Sequence, residues 1–193
     1  MLQSAIRGFA VDSLIREGRT PAFGRAFVQP LKNVYPGPPE LEATFEVLSA
    51  SSPNGRYKLI FDWYQAIDED EGNVTIGGEP DSAPLLLDLR LAFSNQFESC
   101  GTDCAYHWGC WIDSTRFALA GLELVNSQGD FRGFMGIYSL AESTEVRYVT
   151  RLIPKDGYGG YNAAWHEWVS GRYWTWKNSR SKPSAAPRGT IHG

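Results

Sequence analysis

Three cysteines and one histidine stand within eleven residues, as Cys100-Gly-Thr-Asp-Cys104-Ala-Tyr-His107-Trp-Gly-Cys110. Three thiolates and an imidazole make a complete tetrahedral ligand set for structural zinc. Their crowding counts against that use, because the two ligand pairs of a zinc site usually lie a dozen or more residues apart. Two alternatives stay open on the residues. One is a Cys100–Cys104 disulfide closing a tight loop, with Cys110 free. The other is three reduced thiols packed as small apolar groups. A cysteine nucleophile needs a base within hydrogen-bond reach, and His107 is the nearest in sequence. The chain has no G-x-S-x-G, H-E-x-x-H, Walker loop or dinucleotide fingerprint. A non-enzymatic role is therefore the leading expectation. No cofactor is expected, zinc being the only candidate.

Other chemistry-bearing residues read as structural or as partner-facing. His166 beside Glu167 reads as a partly exposed helix residue. Asp68-Glu69-Asp70-Glu71-Gly72-Asn73 lacks the oxygen spacing of a calcium loop and reads as a solvated polar loop. Tyr161, Trp165, Trp168, Val169, Tyr173 and Trp176 recur at helical spacing and form one stripe. Such a stripe covers an open sheet face, or else offers Trp165, Trp168 and Trp176 as anchors for a protein partner. Beyond Lys177 the chain carries Arg180, Lys182 and Arg188 with no acidic residue. Residues 178–193 thus read as a basic disordered tail suited to an anionic surface, such as acidic protein or lipid headgroups.

The elements that must hold these residues follow from hydrophobic period. Residues 1–17 have the spacing of a short amphipathic helix. Residues 18–40, with five prolines, read as an extended arm, so that 1–40 forms one N-terminal segment. From 41 to 177 the chain reads as a β domain with a C-terminal helix. Its first strand is expected at Leu41–Val47, where Leu41, Ala43, Phe45 and Val47 alternate with polar residues. Further strands are expected at Tyr57–Tyr64, from Leu85 to Leu91, and at Arg116–Leu124, Phe134–Leu140 and Val146–Ile153. Roughly seven strands with short turns predict a mainly β, antiparallel, sandwich-like fold.

Two segments also resemble each other. Ser52-Pro53-Asn54-Gly55-Arg56 opens one strand, and a later strand ends at Asp88-Leu89. A similar turn, strand and second strand run from Trp111 to Glu142. This pattern resembles the blade repeat of TolB-like and WD40-like β-propellers, with Asn54 in place of Asp. Two units cannot close a propeller, which takes four to eight blades. The resemblance implies paired blade-like sheets and a binding or scaffold surface, and it transfers no site residue.

Composition sets the outer bounds. The chain has 193 residues, with 13% aromatics and a net charge of −4. That is enough for one domain with a core. The acidic balance does not suggest nucleic acid as a partner. No run has the apolar length of a membrane helix. The first residues lack a signal-peptide pattern, which by default places the chain in the cytoplasm. The expected role is a binding or structural accessory module, such as a subunit of a larger assembly. A metal- or thiol-dependent protein built on Cys100, Cys104, His107 and Cys110 is the alternative.

Overall fold

A computed structural model describes residues 15–21, 27–33, 42–78, 81–98, 100–126, 129–153 and 155–180. The largest unit is a five-stranded antiparallel sheet in the order β1-β12-β11-β10-β9. Its strands are β1 (Ile15–Pro21), β9 (Cys104–Trp111), β10 (Arg116–Leu124), β11 (Phe131–Ser139) and β12 (Thr144–Ile153). A second antiparallel sheet has the order β2-β8-β7-β4-β3. It comprises β2 (Phe27–Pro30), β3 (Ser49–Ser51), β4 (Tyr57–Ile60), β7 (Leu85–Asp88) and β8 (Phe93–Gln96). A hairpin of β5 (Gln65–Asp70) and β6 (Asn73–Gly78) stands apart as a third, two-stranded sheet. Among the described residues, the α-helices are α1 (Glu42–Val47) and the long C-terminal α2 (Lys155–Arg180).

The predicted mainly β, antiparallel architecture with a C-terminal helix is the one observed. One core joins its parts. Leu59 and Leu86 of the second sheet meet Phe117, Leu119, Phe134 and Tyr138 of the first, and Val169 and Tyr173 of α2 close over them. The second sheet is apolar on both faces. Ile60, Leu85 and Leu87 point away from the main core and pack with Phe45 of α1. That is why the central strand β7 reads as a continuous apolar run, Leu85-Leu86-Leu87, and not as an alternating one.

Several local expectations are corrected. Leu41–Val47 was expected as a strand, but Glu42–Val47 is helical. Four alternating apolar positions are too few to separate a period of two from one of 3.6. The helix wins because it also buries Thr44, whose hydroxyl donates to the Gln65 carbonyl at 2.8 Å. Glu42 and Glu46, one turn apart, then stay outside, and Glu46 meets Lys58 at 2.5 Å. The acidic stretch 68–73 is no open loop. It is the β5–β6 hairpin, turned at Glu71 and Gly72, both in the left-handed region (φ 48° and 84°) that a two-residue hairpin turn requires. The strand from Leu85 stops at Asp88, and Leu89 and Leu91 are exposed in the following turn.

At the N-terminus, residues 15–17 begin β1, an edge strand paired with β12, and are not helical. Within the expected arm, 18–21 continue β1 and 27–30 form β2, the edge of the second sheet. Leu31–Asn33 form a 3-10 turn; residues 1–14, 22–26 and 34–40 of the N-terminal segment, and residues 181–193, lie outside the described residues.

Candidate functional site

The first sheet's inner face carries its polar residues at one end. Cross-strand pairing sets Tyr138 opposite Glu145, Gly136 opposite Arg147 and Phe134 opposite Val149. On the other side, Glu123 of β10 faces Arg132 of β11 and Cys104 of β9. Side chains on one face of a strand recur every second residue, so Glu145, Arg147 and Val149 all project inward. Room for the longer ones comes from Gly136. A Cβ there would lie 2.6 Å from a Glu145 carboxylate oxygen and 2.8 Å from the Tyr138 hydroxyl.

The connection from β8 to β9 forms the opposite wall. Ser82 and Cys100 exchange backbone hydrogen bonds of 3.0 and 2.9 Å. The Ser82 hydroxyl donates to buried Asp62 at 2.5 Å and accepts from the Tyr106 amide at 2.9 Å. Burial lifts Asp62 to about 6 against the opposing pull of its hydrogen bonds from Ser82 and Ala83. Between this wall and the sheet lies a cavity of about 660 Å³. Gln96, Phe97 and Glu98 line one side, and Tyr106, Glu123 and Arg147 the other. Asp103, Leu124 and the Cys100–Cys104 pair complete the wall.

Glu98 is the centre of the polar set. It accepts hydrogen bonds from the Tyr106 hydroxyl and, at 2.8 Å, from the Tyr138 hydroxyl. The Tyr138 oxygen also lies 3.2 Å from Glu145. One phenol proton cannot serve both carboxyls, so a proton held on Glu145 completes the set. The electrostatics agree. Burial first, then the charge of Glu98, lifts Glu145 to about 7, although Arg147 pulls the other way. Burial and Glu98 also push the Tyr106 phenol up, and burial, Tyr106 and Glu98 do the same for Tyr138. Both phenols therefore stay protonated donors. Arg147 is lowered by burial but raised more by Glu123 and Glu145, so it remains charged. It meets Glu123 at 2.5 Å and Glu17 at 3.4 Å, with its guanidinium 4.5 Å from the centre of the Phe134 ring.

No protein-family model, curated protein or solved structure matches this chain.

The sequence-predicted residues are only partly brought together. Cys100 and Cys104 form a disulfide with Cα atoms 5.6 Å apart, one of the open alternatives. His107 is held elsewhere, stacked on Trp165 at 4.3 Å, and its carbonyl accepts the Trp165 indole N–H at 3.3 Å. A bulge in β9 turns it that way: Tyr106 pairs with Gly121 and Trp108 with Ala120, leaving His107 as the extra residue. Gly121 is required there, since a Cβ would lie 1.9 Å from the Ala105 carbonyl oxygen. Burial, helped by His166, lowers His107 to about 3, so its ring is neutral near pH 7. Cys110 is a free thiol, and burial pushes its pKa up, away from thiolate chemistry. Among the described residues, no three His, Cys, Asp or Glu side chains converge as a metal site.

The tryptophan stripe faces inward. Trp165 is buried, while Trp168 and Trp176 are half-buried against the main core. Arg172 locks the helix in place, donating to the Ser49 carbonyl at 2.8 Å with its guanidinium 4.9 Å from the Trp168 ring centre. Arg180 pairs with Glu42 and lies over Trp176. Trp165, Trp168 and Trp176 thus pack α2 onto the main core, and Arg180 ties its end to α1. Lys182 and Arg188 lie outside the described residues. No helix among the described residues is long and apolar enough to cross a membrane.

Sequence reasoning missed the Glu98, Tyr106, Tyr138, Glu145 and Arg147 set. Each falls at an inward position of a strand or on the connection leading into β9. A charged residue at an inward position, as Glu145 and Arg147 are in the alternating run of β12, was the available signal.

Proposed function

We propose that this chain is a non-enzymatic binding module that holds a small hydrophilic ligand in the cavity beside Glu98. The carrying observation is a cavity of about 660 Å³ with several polar groups converging on it from a rigid sheet. That volume lies in the range typical of small-molecule sites, roughly 300–1,000 Å³. Arg147 and Arg132 both engage Glu123, which leaves Glu98 and Asp103 as the lining acids with no ion pair among the described residues. The wall thus favours a ligand bearing a cationic nitrogen, with the Phe97 and Leu124 side chains against its apolar part.

The test is calorimetric titration with ethanolamine, choline and spermidine. Saturable binding that is lost in Glu98→Gln supports the reading. Absence of binding by all three, or affinity unchanged in that variant, overturns it. A panel of nitrophenyl esters and glycosides distinguishes the other class. A binding module leaves it intact, whereas turnover abolished by Glu145→Gln would replace this reading with an acid–base enzyme. As an accessory module the chain would meet its protein partner, or another anionic surface, through Lys182 and Arg188, with an affinity that falls as salt rises.

A further inference from the structure

The tip of the β7–β8 hairpin carries large apolar side chains in solvent. Leu89, Leu91 and Phe93 are 40%, 58% and 46% exposed, three of the six large hydrophobic residues most exposed among those described. Singly, exposed apolar residues need no explanation, but here three share one four-residue turn and its first strand position. The turn is also rigidly built. The Asp88 carboxylate accepts from the amides of Arg90 and Leu91, both at 3.0 Å. Arg56 fixes the same carboxylate at 2.7 Å. Ala92 takes the left-handed conformation (φ 57°) needed to re-enter β8, and its carbonyl accepts from the Leu31 amide at 2.8 Å. The leucines are thus presented on a fixed scaffold.

The rim is cationic. Arg56 neutralises Asp88, the only acid of the hairpin turn. Arg90 and Lys32 are exposed beside it, and neither is paired with an acid among the described residues. Pro30, opposite Phe93 in the β2–β8 register, extends the apolar surface. A hairpin turn with exposed leucine and phenylalanine flanked by exposed arginine and lysine has the composition that docks at the headgroup boundary of an anionic bilayer. The apolar side chains enter the interface, and each cation near the surface adds to the attraction. A specific protein interface needs roughly twenty residues a side, and the turn offers only these few side chains.

We infer that the β7–β8 hairpin tip docks this chain on anionic lipid surfaces, with Leu89, Leu91 and Phe93 inserted and Arg90 and Lys32 against the headgroups. This inference is independent of the cavity ligand.

The experiment is flotation of the full chain with vesicles of phosphatidylcholine alone and with added phosphatidylserine. Binding is expected only to the anionic vesicles and is expected to weaken with salt. Leu91→Glu removes one inserted side chain and adds a repelled charge, which lowers the partition roughly tenfold or more. Arg90→Glu acts in the same direction. Both positions are exposed, so circular dichroism and melting should match the parent. No binding to anionic vesicles, or equal binding by Leu91→Glu, overturns the inference. So does vesicle-independent self-association that Leu91→Glu abolishes, which would assign the tip to a second copy of the chain.

Discussion

Replacing Glu145 by Gln should flatten part of the pH dependence of stability. In the folded chain this carboxyl is lifted from 4.5 to about 7, first by burial and then by Glu98. A raised carboxyl pKa means that the folded state holds the proton more tightly than the unfolded one. The stabilisation is fully present below about pH 4.5, declines as pH rises towards 7, and is gone above it. One pKa unit is worth about 1.4 kcal/mol, so the whole effect is roughly 3 kcal/mol. Gln is neutral throughout and reproduces the protonated form. Its carbonyl can accept from Tyr138 and its amide can donate towards Glu98. Urea unfolding of both proteins from pH 4.5 to about 8 gives the comparison. The stability of the variant relative to the parent should climb by roughly 3 kcal/mol across that range. Asp62, lifted to about 6, also causes a decline with rising pH, but equally in both proteins, so the difference isolates Glu145. Parallel curves would refute the shared-proton account of the Glu98–Tyr138–Glu145 set.

Alkylation of the denatured, unreduced chain should modify one thiol, Cys110, and three after reduction; three before reduction would remove the disulfide. For so short a loop, Cys104→Ser should cost about 2 kcal/mol in chemical denaturation. Gly136→Ala should be destabilising by about 1–3 kcal/mol, because its methyl would lie 2.6 Å from Glu145; an unchanged melting temperature would show that the pair can move aside. Trp165→Ala should cost about 3–5 kcal/mol, since its ring is buried against His107; a loss below 1 kcal/mol, typical of a surface site, would return Trp165 to the list of partner anchors.

The strands of the second half were legible because their alternation is long. β10, β11 and β12 each run nine or ten residues, enough for period and turn signals to agree. The helical stripe from Trp165 to Trp176 was legible for the same reason. What failed was short or two-sided. α1 has six residues and is buried on most of its circumference, so its pattern fits either period. The β5–β6 hairpin is built from acidic residues whose order comes from a turn at Glu71-Gly72 and from α2, where Lys177 reaches Glu69. The cysteine cluster pointed to a real linkage, but His107 left it through a bulge that only Gly121 on the neighbouring strand permits. The cavity residues come from four strands and one connection. Their convergence is a property of register, and register links positions that sequence order keeps far apart.

The position of β1 has a consequence for how the chain reaches this structure. β9 to β12 form an uninterrupted meander in which each strand meets the next in sequence, so they can zip locally and quickly. β1 must wait, because Ile15 finds its partner in Val149. A chain made from its N-terminus therefore carries an unmatched strand through most of its synthesis. The closing of that longest loop belongs to the slow, late part of folding. During that interval the open edge of β12 can also pair with β1 of another copy, which makes strand exchange the characteristic hazard of crowded refolding for this topology.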